Sequence, residues 1–217
     1  MKIVAFVPLK MNSQRIPHKN ILPIGRHPLC WYICNSLLKI EEIDETYVYC
    51  SDMTICQYIP SNILFIKRPI WLDEDEVKGF DIYKEFIGQV NADIYILAHA
   101  TSPFISADSI KNALMQVVTQ GYDSAFSAQK IQTFAWYKEQ PINYVLNNVP
   151  RTQEIEPVWI ETSGFYIFTK EIFTKYKRRI GFHPYIQEVE GIEAIDIDER
   201  KDYDLACRLY ETEGEKR

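Results

Sequence analysis

Five consecutive apolar residues, Ile3 to Val7, lead into Pro8 and then into a polar loop carrying Lys10, Arg15, His18 and Lys19. A short uninterrupted apolar run of this kind suits a strand buried on both faces. In open α/β sheets, ligands bind beyond the C-terminal ends of such strands. Lys10, Arg15 and Lys19 fall within ten residues, and with Asn12 and Ser13 as small hydrogen-bonding groups they suit the neutralisation of a triphosphate. The same residue types also suit a solvated basic turn, and no glycine-rich phosphate cradle accompanies them.

The pattern continues as alternating elements. Leu29, Ile33, Leu37 and Ile40 recur at helical spacing behind Pro28, at a first helical position. Strands are expected at Thr46–Cys50, Ile63–Ile66, Ile94–Ala98, Ile160–Phe168 and Ala194–Ile197, and helices at Phe80–Val90, Ser106–Thr119 and Lys201–Glu211. Such alternation predicts one α/β domain over residues 1–217, with a mostly parallel sheet covered by helices on both faces. Residues 134–161 break the rhythm with Pro141, Pro150 and Pro157 and are expected to leave the core as a β-arm; a polar tail is expected at 213–217.

A length of 217 residues and a hydrophobic content of 47% are enough for one full core. The net charge of −6 argues against a nucleic-acid partner, so the basic loop points to a small anion. No apolar run approaches membrane-spanning length, and Lys2 and the first strand follow Met1 directly, which predicts a cytoplasmic protein. The five cysteines include no C-x-x-C pair and are expected to be reduced core residues.

Near the C-terminus, Asp196 and Asp198 are two apart, so in a strand both carboxylates share one face while Ile195 and Ile197 take the other. Two oxygen ligands at that spacing suit Mg²⁺ completed by waters and phosphates; a solvated strand end is the other reading. His99, Thr101 and Ser102 follow the strand Ile94–Ala98 and should reach the sheet's C-terminal edge.

Taken in order, several short strings resemble the cytidylyltransferases that activate sialic and related nonulosonic acids. Ser13, Arg15, Ile16, Pro17, Lys19 and Asn20 match the opening motif A-R-x-x-S-K-R-[IL]-P-x-K-N in register. YCSD (Tyr49 to Asp52), KRP (Lys67 to Pro69), ATSP (Ala100 to Pro103), PRTQ (Pro150 to Gln153), ETSGFYIF (Glu161 to Phe168) and AIDIDE (Ala194 to Glu199) extend the likeness along nearly the whole chain. The resemblance implies a three-layer Rossmann-like nucleotidyltransferase fold whose small protruding arm makes a homodimer. It implies transfer of CMP from CTP to a sugar acid with Mg²⁺ as cofactor.

On this resemblance, Lys19, Arg15 and Lys10 are the catalytic cations. Lys10, Asn12, Ser13, Arg15, Lys19, Asn20, Arg68 and Asp75 bind the nucleotide. His99, Thr101, Ser102, Arg151, Gln153 and Thr162 bind the sugar acid, and Asp196 and Asp198 hold the metal. Three positions depart from the family pattern: Lys10 stands where arginine is usual, His99 where glutamine is usual and Ser163 where asparagine is usual. The related enzymes for 3-deoxy-octulosonic acid usually carry a metal-binding aspartate after the fourth strand. Thr101 and Ser102 occupy that place here, which favours the sialate-type branch. A catalytically silent nucleotide-binding scaffold is the reading from another class.

Overall fold

The computed structural model describes residues 1–213 and contains a sheet of seven strands. These are β1 (Ile3–Leu9), β2 (Glu45–Cys50), β3 (Leu64–Lys67), β4 (Ile94–Ala98), β5 (Ser124–Ile131), β6 (Val158–Thr169) and β7 (Pro184–Glu188). Their order is β7-β5-β6-β4-β1-β2-β3, and all run parallel except β6, which is antiparallel to β4 and β5. Five α-helices accompany them: α1 (Leu29–Leu38), α2 (Gly79–Gln89), α3 (Ala107–Thr119), α4 (Lys170–Tyr176) and α5 (Arg200–Glu213). The expected α/β class and mostly parallel sheet are therefore present.

Strand β1 shows why its apolar run is continuous. Ile3, Ala5, Val7 and Leu9 pack into one core layer with Cys30, Ile33 and Leu37 of α1 and Ile110, Ala113 and Leu114 of α3. Val4 and Phe6 enter the other layer, where Phe6 stacks on Phe86 of α2 at 4.3 Å. Each such side chain removed from water contributes about 1.5–3 kcal/mol, and both faces of the strand have to be apolar for that to happen twice over. A third cluster positions the site: Ile16 of the basic loop, Ile24, Leu29, Phe104, Ile197, Tyr203 and Ala206 pack together, joining the loop to the segment before α5.

Several expectations shift. Pro28 is the residue just before α1, with extended backbone, and α1 ends at Leu38. The expected strand at Ala194–Ile197 is absent: Gly191–Ala194 is a 3-10 turn and the chain after it is extended without a ladder partner. Its backbone is satisfied otherwise, Ile197 N donating to Thr101 O at 2.8 Å and the amides of Asp198 and Glu199 to Asp202 Oδ2 at 3.1 and 2.8 Å.

Within the segment 134–161 expected to form an arm, Val158–Glu161 belong to β6 of the central sheet, and the ladder before them is only a two-residue hairpin, Trp136–Tyr137 with Gln140–Pro141. Beyond it lie an isolated bridge between Val145 and Asn148 and a 3-10 turn at Thr152–Glu154, before β6 begins at Val158. Cys30, Cys34 and Cys50 are buried, Cys207 is half-buried and Cys56 is exposed; all five are free. Residues 214–217 of the expected polar tail lie outside the described residues.

Candidate active site

The basic loop leaves β1 at the C-terminal edge of the sheet and closes on itself. Asn20 Nδ2 donates to Lys10 O at 2.8 Å, which ties the two ends of the loop together. His18 adopts a left-handed φ of 57° and leads into the 3-10 turn Lys19–Ile21, whose first amide donates to Ile16 O. Ile16 is buried, so the turn carries Lys19 inward while Arg15 stays exposed.

Lys19 Nζ donates to Ile197 O at 2.6 Å and lies 3.6 Å from Asp198 Oδ1. Arg15 Nη2 donates to the same carboxylate oxygen at 2.7 Å. Burial lowers the Lys19 pKa, against the pull of Asp198 and Asp196. Burial raises that of Asp196, whose carboxyl bonds Thr101 through one oxygen while the other, Oδ1, is buried with no partner. The loop and the Asp196 segment, about 180 residues apart in sequence, thus meet as two cations facing two carboxylates.

A cavity of about 440 Å³ opens beside this cluster, a size suited to a small-molecule ligand. Lys10, Ser13, Arg15, Lys19, Asn20, Arg68, Asp75, His99 and Thr101 line it among the expected residues, with Gln14, Glu74 and Tyr83 besides. Lys10 Nζ lies 3.3 Å from Asp75 Oδ1, and Gln14 Nε2 donates to Asp75 Oδ2. All three loop cations are therefore paired with carboxylates, Lys10 with Asp75 and both Arg15 and Lys19 with Asp198. Arg68 is nearly wholly buried, pairs with Asp73, and keeps an Nε that has no partner.

Other expected residues are placed elsewhere. Asn12 is exposed and does not line the cavity. Ser102 is buried behind the cavity wall with its hydroxyl unpartnered. Thr162 Oγ1 donates to Ser127 Oγ inside the core. Arg151 and Gln153 lie on the exposed arm, where Arg151 pairs with Glu154. Thr101 bonds Asp196, so it stands closer to the carboxylates than its expected sugar role implied.

His99 takes a defined form. The ladder of β6 is irregular between Glu161 and Tyr166, Ser163 lies at φ 57°, and Ser163 O sits 2.5 Å from His99 Nδ1. A carbonyl only accepts, so the proton belongs on Nδ1 and Nε2 carries a lone pair. Burial brings the imidazole pKa down to about 4, with Arg179 adding to the effect, so the ring is neutral at physiological pH.

Comparison with known proteins decides the family. Residues 4–215 match the family described as cytidylyltransferase. The chain belongs to the cytidylyltransferase family. Similar sequences include an N-acylneuraminate cytidylyltransferase from Oncorhynchus mykiss, 26% identical over 77% of this chain and 41% of that protein. Another of the same description, from Escherichia coli, is 22% identical over 100% of this chain and 54% of its own length. This cytidylyltransferase chain thus spans about half the length of those relatives.

It is also similar to a 3-deoxy-manno-octulosonate cytidylyltransferase from Escherichia coli, 26% identical over 90% of this chain and 83% of that protein. Among solved structures, a CMP:2-keto-3-deoxy-manno-octonic acid synthetase complexed with CTP superposes with a TM-score of 0.76 at 18% identity, over 98% of this chain and 100% of the other. That likeness supports the Rossmann-like α/β fold of this chain.

Proposed function

We propose that the chain transfers CMP from CTP to a nonulosonic, sialic-type acid. The juxtaposition of Lys19 and Arg15 with Asp196 and Asp198 at the cavity carries this reading. A hydroxyl oxygen of the acid attacks the α-phosphorus, the bond to the bridging oxygen breaks, and pyrophosphate leaves with the electron pair while the hydroxyl proton passes to solvent. Charge gathers on the phosphate oxygens. Lys19, Arg15 and Lys10 are positioned cations that bind this charge more tightly in the transition state than before it. Lys10 does so without a guanidinium's bidentate fork.

Asp196 and Asp198 would hold Mg²⁺, which supplies further charge neutralisation at the phosphates when bound. The buried, unpartnered Asp196 Oδ1 fits that role. Two protein carboxylates suffice for a cation that keeps waters and takes phosphate oxygens. Among the described residues no cluster of three or more His, Cys, Asp or Glu side chains forms a self-contained metal cage.

The reading extends to a homodimer through the arm, in a cytoplasmic setting consistent with five unpaired thiols. Trp136, Tyr137, Val145 and Leu146 are each more than half exposed, an apolar area suited to burial against a second copy. Light scattering of wild type against a Trp136→Ser, Leu146→Ser double variant tests it; equal mass for both would count against the arm. Among the described residues no helix is long and apolar enough to cross a membrane.

The test of the reaction is pyrophosphate release with CTP and Mg²⁺ across a panel of nonulosonic acids, with UTP and ATP as controls. 3-deoxy-octulosonic acid belongs in the panel because of the relative named for it. Release with one nonulosonic acid supports the reading, and release with the octulosonic acid alone replaces it. Absence of any nucleotide binding would leave a silent scaffold.

A further inference from the structure

Beyond the cavity wall formed by Tyr83 and His99 lies a connected polar cluster. Arg179, from the turn after α4, lies flat over the Tyr166 ring with its guanidinium carbon 3.7 Å from the ring centroid, and its Nη2 donates to Tyr166 Oη at 3.0 Å. Tyr166 Oη in turn donates to Glu161 Oε2 at 2.7 Å, and that carboxylate lies 3.8 Å from Arg179. Tyr83 Oη joins the cluster from α2: it bonds Arg179 and stands 3.5 Å from His99 Nε2, at the outer limit of a hydrogen bond. The His99 ring also lies 6.1 Å from that of Tyr166. A cation and a bare imidazole lone pair therefore sit on either side of the Tyr83 phenol oxygen, and Tyr83 and His99 both line the cavity.

We propose that Arg179 is an acceptor-binding residue of this chain, receiving a carboxylate or acyl carbonyl oxygen of the sugar acid, with His99 Nε2 beside it taking an O–H or N–H of the same molecule. The inference rests on the reading of the chain as a sugar-acid cytidylyltransferase. Three observations carry it. The Arg179 side chain is 35% exposed and so within reach of a ligand. Tyr166 below and Glu161 beside it hold the guanidinium in one orientation, and a pre-ordered fork loses little freedom on binding an oxygen. Arg151, the other arginine assigned to the acid, is held by Glu154 on the exposed arm.

The hydroxyl of Tyr83, which accepts from Arg179 and faces His99 Nε2, marks the kind of group that fits between them, one that accepts on one side and donates on the other. A hydroxyl beside a carboxylate and an acylated amine both meet that description. The two sources separate by experiment, because every sugar acid has the carboxylate and only some carry the acyl group.

The test measures steady-state constants for the acid and for CTP in wild type, Arg179→Met, Arg179→Lys and Glu161→Gln, with CTP binding by calorimetry as the check on folding. Arg179→Met should raise KM for the acid about 10- to 100-fold, the range for loss of a charge-assisted hydrogen bond, while the CTP constants stay within about twofold of wild type. Arg179→Lys should recover part of the loss. A penalty shared by acylated and non-acylated acids identifies the carboxylate, and one confined to acylated acids identifies the carbonyl. An unchanged acid KM, or parallel loss of acid and CTP binding, would overturn the proposal. If wild type binds CTP and reacts with no acid, the functional reading itself falls and this inference with it.

Discussion

Replacing Lys19 by methionine separates chemistry from stability, because the side chain serves both in measurable amounts. At 3.6 Å from Asp198, the gross Coulomb attraction is roughly 5 kcal/mol at an effective dielectric constant near 20. The lowered pKa of Lys19 shows that burial of the ammonium outweighs that attraction, so losing the ion pair does not remove 5 kcal/mol of stability. What remains is Ile197 O, which loses the donor now at 2.6 Å. An orphaned carbonyl of this kind costs about 1–3 kcal/mol, and at about 2–4 °C per kcal/mol for a chain of this size the expected fall in Tm is roughly 2–12 °C. The catalytic loss is of another order: removing a positioned charge at a developing oxyanion costs about 2.7–4 kcal/mol, or roughly 100- to 1,000-fold in kcat. The assay pairs pyrophosphate release, well below the variant's Tm, with a thermal melt. Turnover within about threefold of wild type, or activity that returns fully on cooling, would refute the role given to Lys19.

In Asp198→Ala, the Mg²⁺-dependent part of CTP binding should weaken at least about tenfold, whereas CTP binding measured in EDTA should strengthen because Arg15 and Lys19 lose their carboxylate partner; calorimetry with and without metal reads both, and unchanged metal dependence would contradict the metal role. His99 titrates near 4 in the folded chain and near 6.5 when unfolded, so its stabilising contribution is complete above about pH 6.5 and is lost as pH falls toward 4, at most roughly 3 kcal/mol. Denaturant melts of His99→Gln against wild type between those pH values should show the flatter slope in the variant, and equal slopes would count against a neutral buried imidazole. Gly164→Ala should lower stability by about 1–3 kcal/mol, since a Cβ there meets Ile105 at 2.8 Å and Ser127 Oγ at 3.1 Å. Gly88→Ala in α2 meets nothing within 4 Å and should gain up to about 1 kcal/mol; thermal melts showing the reverse order would contradict the packing account.

What could be read in advance followed from the physics of each element. Strand β4 and the start of β1 are apolar on both faces, and α2 and α3 are amphipathic, so periodicity located them closely. Strands β5 and β7 carry Ser124, Ser127, Gln129, Lys130, Gln187 and Glu188 among their apolar residues and lie at one side of the sheet, where alternation is weak. The segment at Ala194–Ile197 looked like a strand because apolar Ile195 and Ile197 alternate with Asp196 and Asp198 in the sequence. Extended backbone alone suits that alternation, and the tie to Thr101 replaces the ladder.

The site divides in the same way. Lys10, Arg15, Lys19, Asp196 and Asp198 belong to short strings with a recognisable order, and packing of Ile16 against Ile197 brings those strings together. Asn12, Ser102 and Thr162 share the strings, but the direction in which their side chains point depends on loop conformation and core packing. Tyr83 read as an ordinary core position of α2, and Arg179 as one member of the charged run Lys177 to Arg179. Only the tertiary fold places them beside His99.

The central claim, that this cavity joins the α-phosphate of CTP to a sugar acid, is tested most directly by ³¹P NMR of a reaction containing the protein, Mg²⁺, CTP and the acid. The account predicts loss of the three CTP resonances, free pyrophosphate, and one new phosphodiester resonance in equal amount. CMP appearing with the acid unmodified, or CTP persisting in full beside every acid while still bound by the protein, would contradict it.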